Sequence, residues 1–150
     1  MANMKLANLT WSMQYHNSLI AVRKVPLQFA VSFGHMMILK LLIENGVSIN
    51  FKALDGATDL TYAVNYKQKE MAEFIIESGV NTDSTCNNLK TPLHLALVLN
   101  HEEFVILLLQ NGESLNAMDQ YKRTPIEEGL VRKQCLHTAI DIKNETEVRE

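Results

Sequence analysis

Apolar residues fall along this chain in short blocks that recur at a fixed distance. Ile38, Leu41 and Leu42 form one block, Met71, Phe74 and Ile75 a second, and Phe104, Leu107 and Leu108 a third. The i, i+3, i+4 spacing inside each block puts these side chains on one face of a helix. The blocks are offset from one another by 33 residues. The same offset relates Val25-Pro26-Leu27, Thr58-Asp59-Leu60, Thr91-Pro92-Leu93 and Thr124-Pro125-Ile126. Small residues follow each triplet at one spacing, namely Ala30, Ala63, Ala96 and Gly129, and Gly46, Gly79 and Gly112 close the first three units. Agreement over so many columns without a gap is a true internal repeat. It predicts first helices at about 26–33, 59–66, 92–99 and 125–132, and second helices at about 36–45, 69–77, 102–110 and 135–143.

Local chemistry agrees with those boundaries. Pro26, Pro92 and Pro125 suit a first helical turn, where a missing N–H costs nothing. Thr91 and Thr124 precede two of them and can cap free N–H groups. The three closing glycines suit the left-handed position after a helix. Thr91-Pro92-Leu93-His94-Leu95-Ala96 reads T-P-L-H-x-A in full, and on it the chain resembles the ankyrin repeat over about residues 17–143. The resemblance implies an all-α solenoid of about four 33-residue units, each a β-hairpin loop followed by two antiparallel helices. One domain is then expected over 1–144. It comprises a degenerate N-terminal cap at 1–21, with a helix at 3–13, and repeats at about 22–54, 55–87, 88–120 and 121–144, followed by a charged tail at 145–150.

Departures from the pattern mark individual units. Asp59 stands in the proline column, Thr61 and Gln28 in the His94 column, and Glu127 in that column of unit four. Gly129 replaces the small alanine, and helical glycine costs about 1 kcal/mol against alanine. His137 and Asp141 put polar groups in apolar columns of the last helix. Unit four therefore reads as a polar terminal cap and as the least stable unit.

Composition narrows the function. The chain has 150 residues, 47% hydrophobic and 21% charged, which fits one folded domain. Fourteen Lys and Arg scattered among 17 Asp and Glu, for a net charge of −3, form no phosphate-binding patch, so a nucleic-acid partner is not expected. The longest apolar run, Phe104 to Leu109, is too short for a membrane span. Cys86 and Cys135 lie far apart without a CxxC, and the N-terminus has no signal-like apolar core. A cytoplasmic location, extending to the nucleus, is expected. The N-x-T sequons at Asn8 and Asn144 are then accidental.

Chemistry for catalysis is missing from the motifs: there is no GxSxG, P-loop, GxGxxG or HExxH. Glu102-Glu103 and Glu127-Glu128 read as solvated helix faces, and Cys86 as an inert exposed thiol. His35 and His101 hold the position before second helices, and no Cys or acidic partner gives His94 or His101 zinc-like spacing. No enzyme activity, cofactor or metal is expected. The resemblance further implies that the ring of His94 hydrogen-bonds within and between units.

A repeat array of this kind acts through its extended concave face. By resemblance, the partner-facing positions are the loop tips and the residues ending the first helices. Those at the tips are Leu54, Asp55 and Ala57, then Asn87, Asn88 and Lys90, then Gln120, Tyr121 and Arg123. Those on the helices are Phe33, Asn65, Tyr66, Val98, Leu99 and Arg132. Phe33, Tyr66, Leu99 and Arg132 fall in one column and form a single strip. The short array is similar to the viral ankyrin family (vankyrins) and, through it, to IκB. That implies a Rel/NF-κB-type partner and suppression of host immune signalling by a monomer. The alternative is a cellular adaptor or targeting subunit that delivers a separate enzyme. Asn50 and Asn116, each with a Leu eight residues earlier at Leu42 and Leu108, fit the asparagines that are hydroxylated in such repeats.

Overall fold

The computed structural model describes residues 26–131 and 140–145. Seven helices with defined ends follow in pairs: α1 (Pro26–Ser32) and α2 (Met36–Glu44), α3 (Asp59–Asn65) and α4 (Lys69–Glu77), α5 (Pro92–Leu99) and α6 (Glu102–Gln110), then α7 (Pro125–Val131). Residues 140–145 are again helical, continuing slightly beyond the predicted last helix. The expected N-terminal cap, Arg132, His137 and the charged tail beyond 145 lie outside the described residues.

The first helices stack on one another, α1 on α3, α3 on α5 and α5 on α7, and each packs on the second helix of its own unit where that is described. The stacking follows from the small-residue column. Ala30, Ala63 and Ala96 are buried, and Gly129 occupies the same place in α7. Beside them Leu27, Leu60 and Leu93 are fully buried, as are Leu39, Ala72 and Val105 on the second helices. Each buried Leu contributes about 1.5–3 kcal/mol. Second helices meet less closely, with α4 touching α6 over a short stretch.

α5 and α7 begin at their predicted caps, Thr91 and Thr124, and α3 begins at Thr58. Thr91 Oγ1 accepts from the His94 amide at 3.4 Å, and the His94 ring answers at the Thr91 amide at 3.2 Å. Thr58 and Thr61 form the same reciprocal box, so Thr61 keeps the cap that the missing histidine supplies elsewhere. In α7 Glu127 takes that role, accepting from the Thr124 amide at 2.8 Å. The bonds from the Thr124 backbone and hydroxyl hold the Glu127 carboxyl below the usual carboxylate range.

The predicted hairpins form as tight turns without strands among the described residues. Ala53 donates to Ala57 O at 2.9 Å, Cys86 to Lys90 O at 3.0 Å and Asp119 to Arg123 O at 3.0 Å. A second bond lies inside each turn, Gly56 N to Ala53 O, Leu89 N to Cys86 O and Lys122 N to Asp119 O, each at 2.9 Å, and no ladder extends beyond it. Successive loops are instead tied edge to edge, Asn87 N to Asp55 O at 2.9 Å and Gln120 N to Asn88 O at 3.0 Å. Each turn requires one left-handed residue, supplied by Gly56 (φ 73°), Leu89 (φ 57°) and Lys122 (φ 58°). Only glycine takes that conformation without cost. Leu89 is exposed, so Leu89→Gly should raise stability by about 0.5–1 kcal/mol, read from urea melts. Gly56→Ala should do the reverse, because its Cβ would meet the Asn87 side chain and lie 2.6 Å from the Asn87 amide.

Candidate functional site

Three of the four residues expected to form a strip at the ends of the first helices are described, and all three are exposed. Phe33 is 66% accessible, Tyr66 42% and Leu99 36%. For Phe33 and Tyr66 an inner partner ring sits one helical turn earlier. Phe29 and Phe33 stack at 6.1 Å, and Tyr62 and Tyr66 at 6.3 Å with their planes 6° apart. The helix backbone thus holds the outer rings in fixed directions. Beside the strip, Asn65 is exposed and Val98 half-buried, while Val131 stands out at the end of α7.

At the loop tips Leu54, Asp55, Asn87, Asn88, Gln120 and Tyr121 are exposed. Several are fixed by hydrogen bonds. Asp55 accepts from the Ala57 amide at 2.9 Å and from the Tyr62 hydroxyl at 3.2 Å, and Asn87 Nδ2 donates to Leu54 O at 2.8 Å. Burial raises the Tyr62 phenol to about 12, and the Asp55 charge and hydrogen bond add to it. Ala57, expected at the tip surface, is buried instead, because it closes the turn against Ala53.

Lys90 and Arg123, expected to face a partner, are largely committed inside the protein. Lys90 Nζ lies 2.6 Å from Glu128 Oε1, and an Arg123 guanidinium nitrogen lies 3.3 Å from the same oxygen and 2.8 Å from Asp119 Oδ2. Glu128 is fully buried, which corrects its reading as part of a solvated face. Its column holds Phe29, Tyr62 and Leu95 in the other units. An acid in an apolar column was the available signal that it needed buried cations. Burial alone would push the Asp119 carboxyl up. The bonds from the Arg123 backbone, the guanidinium and the Tyr121 amide outweigh it and hold Asp119 below the usual range. The Tyr121 ring covers the Arg123 guanidinium at 4.8 Å, so the ion cluster sets the direction of that exposed ring.

His94 links units as the resemblance implied. Its Nδ1 accepts from the Thr91 amide, which leaves Nε2–H to donate to Arg123 O at 3.1 Å. Burial lowers its pKa below the ordinary histidine value, against the pull of Glu128 and Asp119. His101 Nδ1 lies 3.0 Å from Val64 O, a second link between units.

Two further buried acids went unrecognised as such. Asp59 is fully buried with neither carboxyl oxygen hydrogen-bonded, and burial raises its pKa to about 8. Glu113 accepts from the Leu93 amide at 2.7 Å, and burial raises it to about 8 as well. Glu113 shares its column with Val47 and Val80, the same signal that marks Glu128.

Cys86, expected to be exposed, is half-buried within its turn. Asn50 and Asn116 are exposed, and Asn50 Oδ1 accepts from the Asn81 amide of the next loop at 3.2 Å. Among the described residues no helix is long and apolar enough to cross a membrane, and no group of three or more His, Cys, Asp or Glu is placed so that it could hold a metal ion. A family model described as ankyrin repeats (3 copies) matches residues 22–126. No curated protein matches the chain.

Proposed function

Since this chain belongs to the ankyrin-repeat family, whose members serve as non-catalytic protein–protein interaction modules, we propose that it holds a protein partner across Phe33, Tyr66 and Leu99 and the loop tips through Tyr121. The observation that supports this most is the exposure of those apolar groups on successive units at one repeat position. Such a strip is costly in water unless something covers it. Aromatic side chains held in fixed directions are the usual anchors of protein interfaces. Val98 extends the strip, Arg132 is proposed as a contact only because it shares the repeat position in sequence, and Asn65, Asn87, Asn88 and Gln120 supply the polar rim. Lys90 and Arg123 act in it indirectly, by holding the tip of unit four.

Two narrower readings follow. The first is an IκB-like inhibitor of a Rel/NF-κB-type factor, of viral origin and cytoplasmic or nuclear, acting as a monomer; its support is the resemblance of the short array. The alternative is an adaptor that delivers an enzyme. A pull-down from immune-stimulated cell extract separates them. Rel-homology proteins in the eluate favour the first, and a phosphatase or ligase favours the second. Retention of the same proteins after Phe33, Tyr66 and Tyr121 are all changed to Ala overturns the proposed face. Asn50 and Asn116 are proposed as hydroxylation sites; an intact mass without added oxygen after treatment with an asparagine hydroxylase ends that idea.

A further inference from the structure

Two asparagines in this chain precede a glycine, in Asn45-Gly46 and Asn111-Gly112. Both cap the end of a second helix, at one repeat position, and both are exposed. Such a pair is open to self-modification, because glycine has no Cβ to hinder its own nitrogen. That nitrogen attacks the asparagine Cγ. A ring C–N bond forms, the Cγ–Nδ2 bond breaks, and the glycine N–H proton leaves with the amide as ammonia. Water then opens the succinimide at either carbonyl and yields aspartate or isoaspartate.

The folded helix end restrains the first step at both places. Asn45 Nδ2 donates to Leu41 O at 2.7 Å and Asn111 Nδ2 to Leu107 O at 2.8 Å, which turns each carboxamide back along its helix. A ψ of 13° at both residues sets the glycine nitrogen in line with the asparagine's own nitrogen, away from its side chain. The glycine N–H groups are also engaged, Gly46 with Ile43 O at 3.0 Å and Gly112 with Leu109 O at 3.1 Å. Reaction therefore requires the helix end to open, and its rate follows how firmly each end is held.

The two ends are held unequally. Glu113 follows Gly112 and is buried; its Oε1 accepts from the Leu93 amide at 2.7 Å, and its carboxyl also bonds Thr91. Opening that end breaks the start of α5 as well. The α6 helix is further held by α4. Val47 stands in the Glu113 column after Gly46, is exposed, and has no polar group with which to make such a tie. Among the described elements α2 packs chiefly on α1.

We propose that Asn45 is a modification site, which converts to aspartate and isoaspartate in the folded protein while Asn111 is preserved. Either product removes the donor to Leu41 O and places negative charge beside the carbonyls that end α2. Isoaspartate also adds a methylene to the main chain and draws Gly46 from its left-handed turn (φ 82°). Because α2 supports α1, which leads directly into Phe33, the change loosens the first position of the exposed strip. The modification itself does not depend on what that strip binds. Unit two shows what the position requires of its side chain. Ser78 Oγ donates to Phe74 O at 2.7 Å, as the asparagine amides do at their own helix ends, and carries no such chemistry.

Peptide mapping of the full chain by mass spectrometry, after prolonged incubation at pH 7 with and without urea, tests the assignment. In urea neither end is held, and the two asparagines should react at like rates. In the folded chain Asn45 should convert about tenfold or more faster than Asn111, as a mixture of aspartyl and isoaspartyl peptides. Asn45→Ser, which installs the Ser78 chemistry, should leave unit one unmodified at an unchanged melting temperature. Glu113→Ala, which removes the tie to Leu93, should bring Asn111 close to the rate of Asn45. Equal rates in the folded parent, faster reaction at Asn111, or an Asn45 still intact when the urea sample has reacted overturns the proposal. So does a folded Glu113→Ala chain in which Asn111 stays as slow as in the parent.

Discussion

Replacing Asp59 by proline should give a protein several kcal/mol more stable than the parent at pH 8, with a smaller gain at pH 4. The side chain is fully buried at the first position of α3, and neither oxygen has a hydrogen-bond partner. Burial raises its pKa from 3.8 to about 8. The sign follows from that direction. A raised carboxyl contributes its full stability below the unfolded value and loses it as pH climbs through the folded one. At neutral pH the loss is on the order of 4 kcal/mol. Proline needs no N–H at this position and already fills it as Pro92 and Pro125. A gain that persists at pH 4 reflects the buried polar group and the stiffer unfolded chain. Asp59→Asn separates the effects, because it keeps the polar burial and removes the titration. Glu113 falls in the same range, so Asp59→Asn retains part of the alkaline slope and Asp59→Asn with Glu113→Gln should abolish most of it. Urea melts of the parent that show no decline between pH 5 and 8 would remove the basis of the prediction.

How far the sequence carries the architecture can be judged from these same columns. The helix pairs were legible because their causes are local. A proline or cap residue starts each first helix, an apolar triplet sets each face, and a left-handed glycine at Gly46, Gly79 or Gly112 ends each described second helix. The strip of Phe33, Tyr66 and Leu99 was legible because a strict period places equivalent residues on one line. The loops were less so. Their turn geometry tolerates Leu89 and Lys122 in a glycine position, and the repeat signature says nothing of how few bonds close each turn. The ion cluster was missed for a different reason. Lys90, Asp119, Arg123 and Glu128 come from two units, and only stacking brings them together. Glu128 and Glu113 stand in otherwise apolar columns, a signal that the reading of Glu128 as part of a solvated face passed over, and such a column does not name the cation or the amide that satisfies the acid.

Changing Tyr66 and Tyr121 together to Ala should weaken partner binding far more than tenfold while costing the fold little. Both rings stand out from the surface, Tyr121 at 65% and Tyr66 at 42% accessible. Buried interface aromatics typically cost about 2 kcal/mol or more each when truncated. Two such losses, even if partly non-additive, exceed the 1.4 kcal/mol that equals a tenfold change. The stability cost is limited to what the rings touch at home. Tyr66 gives up its stack on Tyr62, and Tyr121 its cover over Arg123, each worth about 0.5–1.5 kcal/mol at most. Arg123 keeps its bonds to Asp119 and Glu128 in either case. Glu44 and Glu77, exposed at the ends of α2 and α4, provide the control. Their change to Ala should leave binding intact, since they lie on the second helices, away from the strip. Binding measured by calorimetry, with melting temperatures of these variants alongside, distinguishes lost contact from lost fold. If the glutamate changes abolish binding and the tyrosine changes spare it, the partner sits on the second helices, and the face built from Phe33, Tyr66, Leu99 and Tyr121 is not the one that binds.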